Sequence, residues 1–320
     1  MFKGKLQVWC LVILGSLALN GLFYIVPLMF HDLFPKTEEV SIQISETVDP
    51  ILSEFINHCK FKNSQVTVSF ENSDIVITNE DEKEKEGYTK YSNFLYSPLV
   101  LYARSSFTEN DSGFISLDSS SKSPYMVDLY DILLGMENHK TWKDLGFSPK
   151  VIKGDVCLWI PNERSPYYPY IEELFYMTLN NGKILTDENR AVLKPRVDSL
   201  LNQCEKVSDI SQEIMNEYKS PSSDYKIFIG PEFLYKRGIN NSMSRNNNDA
   251  FSLVYFYNSP IISLNVFAKN DYPEGQTNVA DNFIFIIQNY NSFMYQTGWR
   301  VYNSIFDLDT VGYAYKDNVF

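Results

Sequence analysis

The 320-residue chain is poor in the side chains that most often do chemistry, with three histidines and four cysteines. No metal-ligand spacing exists among them, so a histidine- or cysteine-based metal centre is not part of the reading. Also missing are a Gly-x-Ser-x-Gly elbow, a phosphate-cradling glycine-rich loop, and a histidine near serine or cysteine in a recognisable motif. His58 adjoins Cys59, but neighbours on a helix point in different directions. Nothing in the sequence therefore implies an enzyme or a cofactor. Positive charge is scarce as well: 28 Lys and Arg stand against 40 Asp and Glu, a net charge of −12. An acidic surface of that kind excludes nucleic acid and disfavours anionic lipid, because phosphate binding needs basic side chains.

What is present begins with an apolar run. Residues 6–30 carry no charge, and at about 1.5 Å per residue they are long enough to span a bilayer core of about 30 Å with some tilt. Lys3 and Lys5 precede the run, and Asp32, Glu38 and Glu39 follow it, so residues 1–5 are expected in the cytoplasm and the remainder outside. A cleaved secretory signal is the competing reading; it is disfavoured because Ala18, Asn20 and Gly21 offer a poor cleavage site and the apolar run continues to Phe30. Either reading exports the rest of the chain.

Cys59, Cys157 and Cys204 lie beyond the apolar run, and their odd number leaves at least one without an intramolecular partner. Cys59 and Cys204 form a candidate pair, since both fall on predicted helices; core packing is the alternative. The 15% aromatic content supplies enough apolar surface for a large core.

Along the chain, Val40, Ile42 and Ile44 alternate as a half-buried strand, and Ile51, Leu52, Phe55 and Ile56 have helical spacing. Residues 66–70 and 75–78 read as short strands, and the charged stretch 79–92 as a solvated loop. Pro98 marks the start of a strand over 97–103, and 105–123 is a polar excursion. A helix is predicted from Tyr125, a buried strand over 156–160, and a helix over 170–179. Further helices are predicted over 187–204, with Pro195 a break, and over 210–218. Strands over 227–230, 251–257 and 261–268, a short helix over 232–236, a loop over 240–248 and a helix over 282–296 complete the pattern. Interspersed strands and helices predict an α/β chain with mostly parallel sheets.

This order of pieces resembles the bacterial extracellular solute-binding proteins of the type II periplasmic-binding fold. The carriers of the resemblance are Ser97-Pro98-Leu99-Val100-Leu101-Tyr102-Ala103, Thr141-Trp142-Lys143-Asp144-Leu145, the turn from Ile160 to Pro166, the passage from Val266 to Gly275, and Tyr295-Gln296-Thr297-Gly298-Trp299-Arg300. It implies two α/β lobes joined by crossover strands, preceded here by the one transmembrane helix that the apolar run predicts. The first lobe then takes residues 40–103, the second 104–258, and 259–320 return to the first lobe. One departure is clear: the family usually has a ligand-contacting helix between its second and third strands, and Glu71-Asn72-Ser73-Asp74 leaves no room for it.

In such a fold, ligand sits where strand ends and helix N-termini face each other. The ligand-binding candidates are Glu46 and Thr47 after the first strand, Ser97 at the crossover, Arg164, Ser165 and Tyr167 at the second-lobe turn, and Glu232 after Gly230-Pro231. Capping explains Thr47 and Ser165 equally well, and Glu232 either meets a cationic group or stabilises its own first turn. The resemblance implies capture of a small polar solute for a membrane transporter or sensor. The alternative is a degenerate fold that acts as a protein-interaction module at the cell surface.

Overall fold

The computed structural model describes residues 38–44, 52, 64–68, 73–78, 87–108, 113–117, 125–183, 185–219, 225–234, 251–257, 259–270 and 297–301. The apolar run 6–30, Glu46, Thr47, Cys59, the loop 240–248 and the helix expected over 282–296 lie outside these residues. Among the described residues no helix is long and apolar enough to cross a membrane.

The first sheet begins with three parallel strands, β1 (Glu38–Ile44), β2 (Ser64–Val68) and β3 (Ile75–Thr78), with β1 in the middle. The alternation read from the sequence is seen in β1, where Ile42 and Ile44 are buried and Ser41 and Gln43 are half-buried. Val68 and Ile75 both lie opposite Ile42. The chain therefore passes from one flank of β1 to the other at a single level, about 9.6 Å, a distance within the reach of the six intervening residues. Asp74 clips the end of that crossing to β1. Its Oδ2 accepts from the Ser41 backbone N–H at 3.1 Å and the Ser41 hydroxyl at 2.7 Å, and its own N–H donates to Ser41 Oγ at 2.9 Å.

The long strand β4 (Tyr88–Arg104) comes next. Its start corrects the expected loop over 79–92: the strand already begins at Tyr88, which is buried, while Thr89 and Lys90 are exposed. Pro98 is accordingly internal to β4. It lies where β4 changes partners, a place where a residue without an N–H is tolerated. Residues 105–108 make a single turn, α1 (Ser105–Thr108), followed by β5 (Ile115–Leu117) and β6 (Tyr125–Val127). The expected polar excursion thus holds two short elements, and the helix expected from Tyr125 starts later as α2 (Leu129–Glu137). Asp128 sets that boundary, its side chain accepting from the Tyr130 N–H at 2.9 Å.

The second half contains β7 (Trp159–Pro161), α3 (Tyr168–Leu179), α4 (Asp187–Gln203), β8 (Glu205–Val207), α5 (Ile210–Lys219), β9 (Phe228–Pro231), β10 (Phe251–Phe256), β11 (Ile261–Lys269) and β12 (Arg300–Val301). Helix α4 opens on a Thr186 cap to the Asn189 N–H and runs through Pro195 without a break. Pro195 is exposed, so its ring and the carbonyl it frees face water rather than packed neighbours.

The first sheet has the order β2-β1-β3-β11-β4, with β12 on the other side of β4; the second has β8-β7-β9-β4-β10-β6-β5. The fold is mixed α/β, and not mostly parallel as expected. The strands β4, β10 and β11, which carry the chain between the sheets, run against their neighbours β9, β4 and β3. Helices α2, α3 and α4 contact one another, and the segment after α2 closes one end of the core. There Phe107 stacks on Phe147 at 4.4 Å, and Trp142 meets both rings edge-on. The Thr141–Leu145 motif serves this packing. Thr141 N–H and hydroxyl donate to Asp144 Oδ2 at 2.9 and 2.7 Å, which holds the Asp144 carboxyl below its usual range.

Arg196 on α4 forks onto Glu137 at the end of α2, with contacts of 2.7 and 2.6 Å. The hydrogen bonds from Arg196 lower the Glu137 pKa. A depressed carboxyl contributes stability above its unfolded pKa, about 4.3, and loses it as pH falls through the folded value. Both side chains are about one-third exposed, so screening limits the pair. Arg196→Ala is expected to lower stability by about 0.5–1 kcal/mol at pH 7 in urea unfolding. The gap between variant and parent closes as pH falls from about 5 to 3.

Candidate functional site

Strand direction decides where ligand-facing groups gather. Along β4 and β11, Tyr88 lies opposite Lys269 and Pro98 opposite Ile261, while β3 runs against β11 from Ile75 opposite Ala268 to Thr78 opposite Asn265. The carboxyl ends of β1, β2 and β3 therefore point toward the Pro98 end of β4. In the second sheet Pro231 lies opposite Leu99 and Tyr255 opposite Val100, with β7 parallel to β9 and β6 parallel to β10. Carboxyl ends of β6, β7, β9 and β10 therefore point the same way. Helices α2 and α3 start there, with first-turn N–H groups that lack helical partners.

At this junction a set of polar side chains is buried. Glu232, fully buried in the helical turn after β9, accepts from Arg300 Nε at 2.6 Å, from another Arg300 guanidinium nitrogen at 2.7 Å, and from the Tyr255 hydroxyl at 2.5 Å. Burial alone lowers the proton affinity of Arg300, but the adjacent Glu232 carboxylate more than restores it, leaving the pKa above its ordinary value. Burial, followed by the Glu232 charge, pushes the Tyr255 phenol far upward, so it stays protonated and donates. Glu232 follows a strand of the second sheet, whereas Arg300 belongs to β12 on the first. Their ion pair therefore ties the sheets together.

The neighbours reinforce the tie. Ser97 Oγ accepts from the Phe233 N–H at 3.2 Å, and the Phe233 ring stacks on Trp299 at 4.4 Å. Gly298 adopts φ +76°, and a β-carbon on it would lie 2.2 Å from the Phe233 carbonyl oxygen. Only glycine permits this approach of the two segments.

The structure brings three of the seven candidates together. Ser97 and Glu232 belong to the buried tie, and half-buried Tyr167 meets the Phe233 ring edge-on at 5.8 Å. Ser165 acts within its turn, its hydroxyl accepting from the Tyr167 N–H at 3.3 Å. Arg164 is exposed; its backbone N–H donates to Asn162 Oδ1 at 3.1 Å. Glu46 and Thr47 lie outside the described residues. Sequence reasoning placed Trp299-Arg300 in the returning segment but missed Arg300 and Tyr255 as partners of Glu232. No spacing rule connects residues 232, 255 and 300.

Beside the junction, a cavity of about 260 Å³ opens at the carboxyl ends of β6 and β10. Its polar lining comes from Asp128, Tyr130, Thr178, Asn181 and Tyr257, with Val127 and Phe256 beneath. Tyr257 is half exposed, and its hydroxyl lies 2.6 Å from Ser116 Oγ. The Asp128 carboxylate caps α2, and no Lys, Arg or His is among the lining residues. Such a mixture of aromatic faces and hydrogen-bonding groups suits a small polar molecule. Among the described residues no group of three or more His, Cys, Asp or Glu side chains could hold a metal ion.

No family model matches the sequence, and no curated protein matches it. Solved structures with a similar course of chain include an extracellular solute-binding protein from Bordetella parapertussis, at 9% identity and TM-score 0.49, covering 82% of this chain and 85% of that one. A eukaryotic thiaminase-I bound to 3-deazathiamin has 9% identity and TM-score 0.49, with 83% and 85% covered. The substrate-binding domain described for a molybdenum ABC transporter of Clostridium difficile has 13% identity and TM-score 0.42, with 83% and 100% covered. At these values the likeness assigns no role to any residue of this chain.

Proposed function

We propose that this chain is a membrane-anchored, extracytoplasmic solute-binding protein of the two-lobe type II arrangement, which captures a small polar solute for a transporter or sensor. The observation that carries the reading is the convergence of strand carboxyl ends from both sheets on one junction, next to a cavity of about 260 Å³. Residues 6–30 are the anchor in this reading, with residues 1–5 in the cytoplasm and the folded part outside. The role of the protein is to bind and present; no bond-making step is assigned to it.

Thermal unfolding of the full chain in detergent, scanned against amino acids, sugars, polyamines and oxyanions, tests the proposal. One solute class is expected to raise the Tm in a concentration-dependent way, by about 2.7 kcal/mol of stability at one hundred times its Kd. Tyr257→Ala is expected to abolish that shift while leaving the unliganded Tm within about 2 °C, because the side chain is exposed at the cavity mouth. No shift with any class contradicts the proposal.

A second reading, a protein-interaction module on the same fold, is favoured by a specific observation. The junction itself is filled by the chain's own Glu232, Arg300 and Trp299, and the connection from β2 to β3 has no room for a helix. Crosslinking in membranes that recovers one stoichiometric protein partner, together with a ligand-free mass, would select this second reading.

A further inference from the structure

Resting on the solute-capture reading above, we infer that the cavity at the carboxyl ends of β6 and β10 selects a small organic cation, an ammonium with a short apolar body. Three features of its walls set that charge. The first is Asp128, whose Oδ1 accepts from the Tyr130 N–H at 2.9 Å. Its carboxylate is exposed at the cavity and has no Lys or Arg partner among the described residues. The second is the end of α3, where Thr178 and Asn181 line the cavity as that 12-residue helix finishes without a basic side chain in its last turn. The C-terminal end of a helix carries about half a negative charge. The third is that no Lys, Arg or His is among the described lining residues.

One feature opposes these. The N-terminus of α2 carries about half a positive charge, but Asp128 at its cap and Asp131 in its first turn more than offset it. Arg196, which contacts α2, is committed to Glu137 at the other end of that helix, at 2.7 and 2.6 Å. An anion entering the cavity would therefore face a carboxylate and the negative end of a helix, with no cation in the lining to meet it.

The same walls favour an organic ion over a metal ion. Calcium needs about six to eight oxygen ligands, whereas Asp128 is the one carboxylate in the lining. An ammonium needs fewer. The Asp128 carboxylate, the Thr178 hydroxyl and the Asn181 side-chain carbonyl can accept from its N–H groups, while Tyr130 and Tyr257 offer aromatic surface to its positive head and carbon chain. The Tyr257 hydroxyl lies 2.6 Å from Ser116 Oγ, which steadies that ring at the mouth.

The test is isothermal titration calorimetry of the full chain in detergent with butylammonium, 1-butanol and butyrate, which share a short carbon chain and differ in charge. Butylammonium is expected to bind, more weakly as salt is raised from about 50 to 500 mM, and the alcohol and the carboxylate at least about tenfold less tightly. Asp128→Asn is the decisive variant, because asparagine keeps the α2 cap while removing the charge. It is expected to weaken butylammonium about tenfold, the effect of losing one charge-assisted hydrogen bond, and to leave the unliganded Tm within about 2 °C. Asp131→Asn removes an exposed acid of the same helical turn that is not in the lining, and is expected to change the Kd by less than about twofold. No butylammonium binding, equal binding of butyrate or 1-butanol, or an unchanged butylammonium Kd in Asp128→Asn each overturns cation selection. Solute capture fails separately: it survives any of these results if another solute class gives a thermal shift that Tyr257→Ala abolishes, and falls if no class does.

Discussion

Urea unfolding of Arg300→Ala is expected to show a loss of about 3–5 kcal/mol, among the largest effects of any single substitution in the described residues. The cause is desolvation. Glu232 is fully buried, and without the guanidinium only the Tyr255 hydroxyl remains of the donors described for its carboxylate. A carboxylate in that position must either stay charged at high cost or bind a proton, and each route weakens the folded state. The pair's own net worth is a separate question. Replacing both ends by apolar residues of similar size, Glu232→Leu with Arg300→Met, is expected to cost less than Arg300→Ala alone, since no buried charge is then left unpaired. A double variant as unstable as the single one would show that the loss comes from packing rather than from an uncompensated charge.

The second large effect is expected at Gly298. Its φ of +76° is strained for a residue with a side chain, and a β-carbon there would meet the Phe233 carbonyl oxygen at 2.2 Å. Gly298→Ala is therefore expected to cost about 3–5 kcal/mol, strain and displacement of backbone combined. Gly113 provides the control, because it has φ +77° with open space where its β-carbon would go. Gly113→Ala is expected to cost only about 1 kcal/mol, the conformational part alone. Thermal unfolding of the two variants separates strain from collision, and equal losses would remove the argument that the Phe233 and Gly298 segments are locked by close approach.

Much of the scaffold was legible because local pattern and tertiary burial agree. The alternation at Ile42 and Ile44 is that of β1, and the helix expected over 170–179 after its turn is α3, whose buried face contains Ile171, Leu174, Phe175 and Leu179. Reading failed where a local signal was outvoted by surroundings. Pro195 signals a break, yet it faces solvent within α4, where a freed carbonyl is open to water. The charged run before Tyr88 concealed the outer part of β4, whose Thr89 and Lys90 are exposed and whose pairing with the distant β11 no local pattern shows. Pro98 was read as a beginning when it marks an exchange of strand partners.

The candidate site divides in the same manner. Ser97, Tyr167 and Glu232 were singled out because strand ends and helix starts gather polar groups, and the strand registers do bring these three to one place. Their partners Tyr255 and Arg300 were hidden because the contacts join residues 23 and 68 positions away from Glu232 in the chain. The cavity beside β6 and β10 left no trace in the sequence. Its walls come from the cap of α2, the turn after α3 and the end of β10, segments that no periodicity associates.

Native mass spectrometry of the full chain, purified gently in detergent from its own source and weighed before and after denaturation, tests solute capture most directly. The expected result is a native mass above that of the bare chain, with a small polar molecule released on denaturation. A native mass equal to the bare chain, unchanged after incubation with millimolar solutes of every class in the thermal scan, would contradict solute capture and leave the protein-interaction reading in its place.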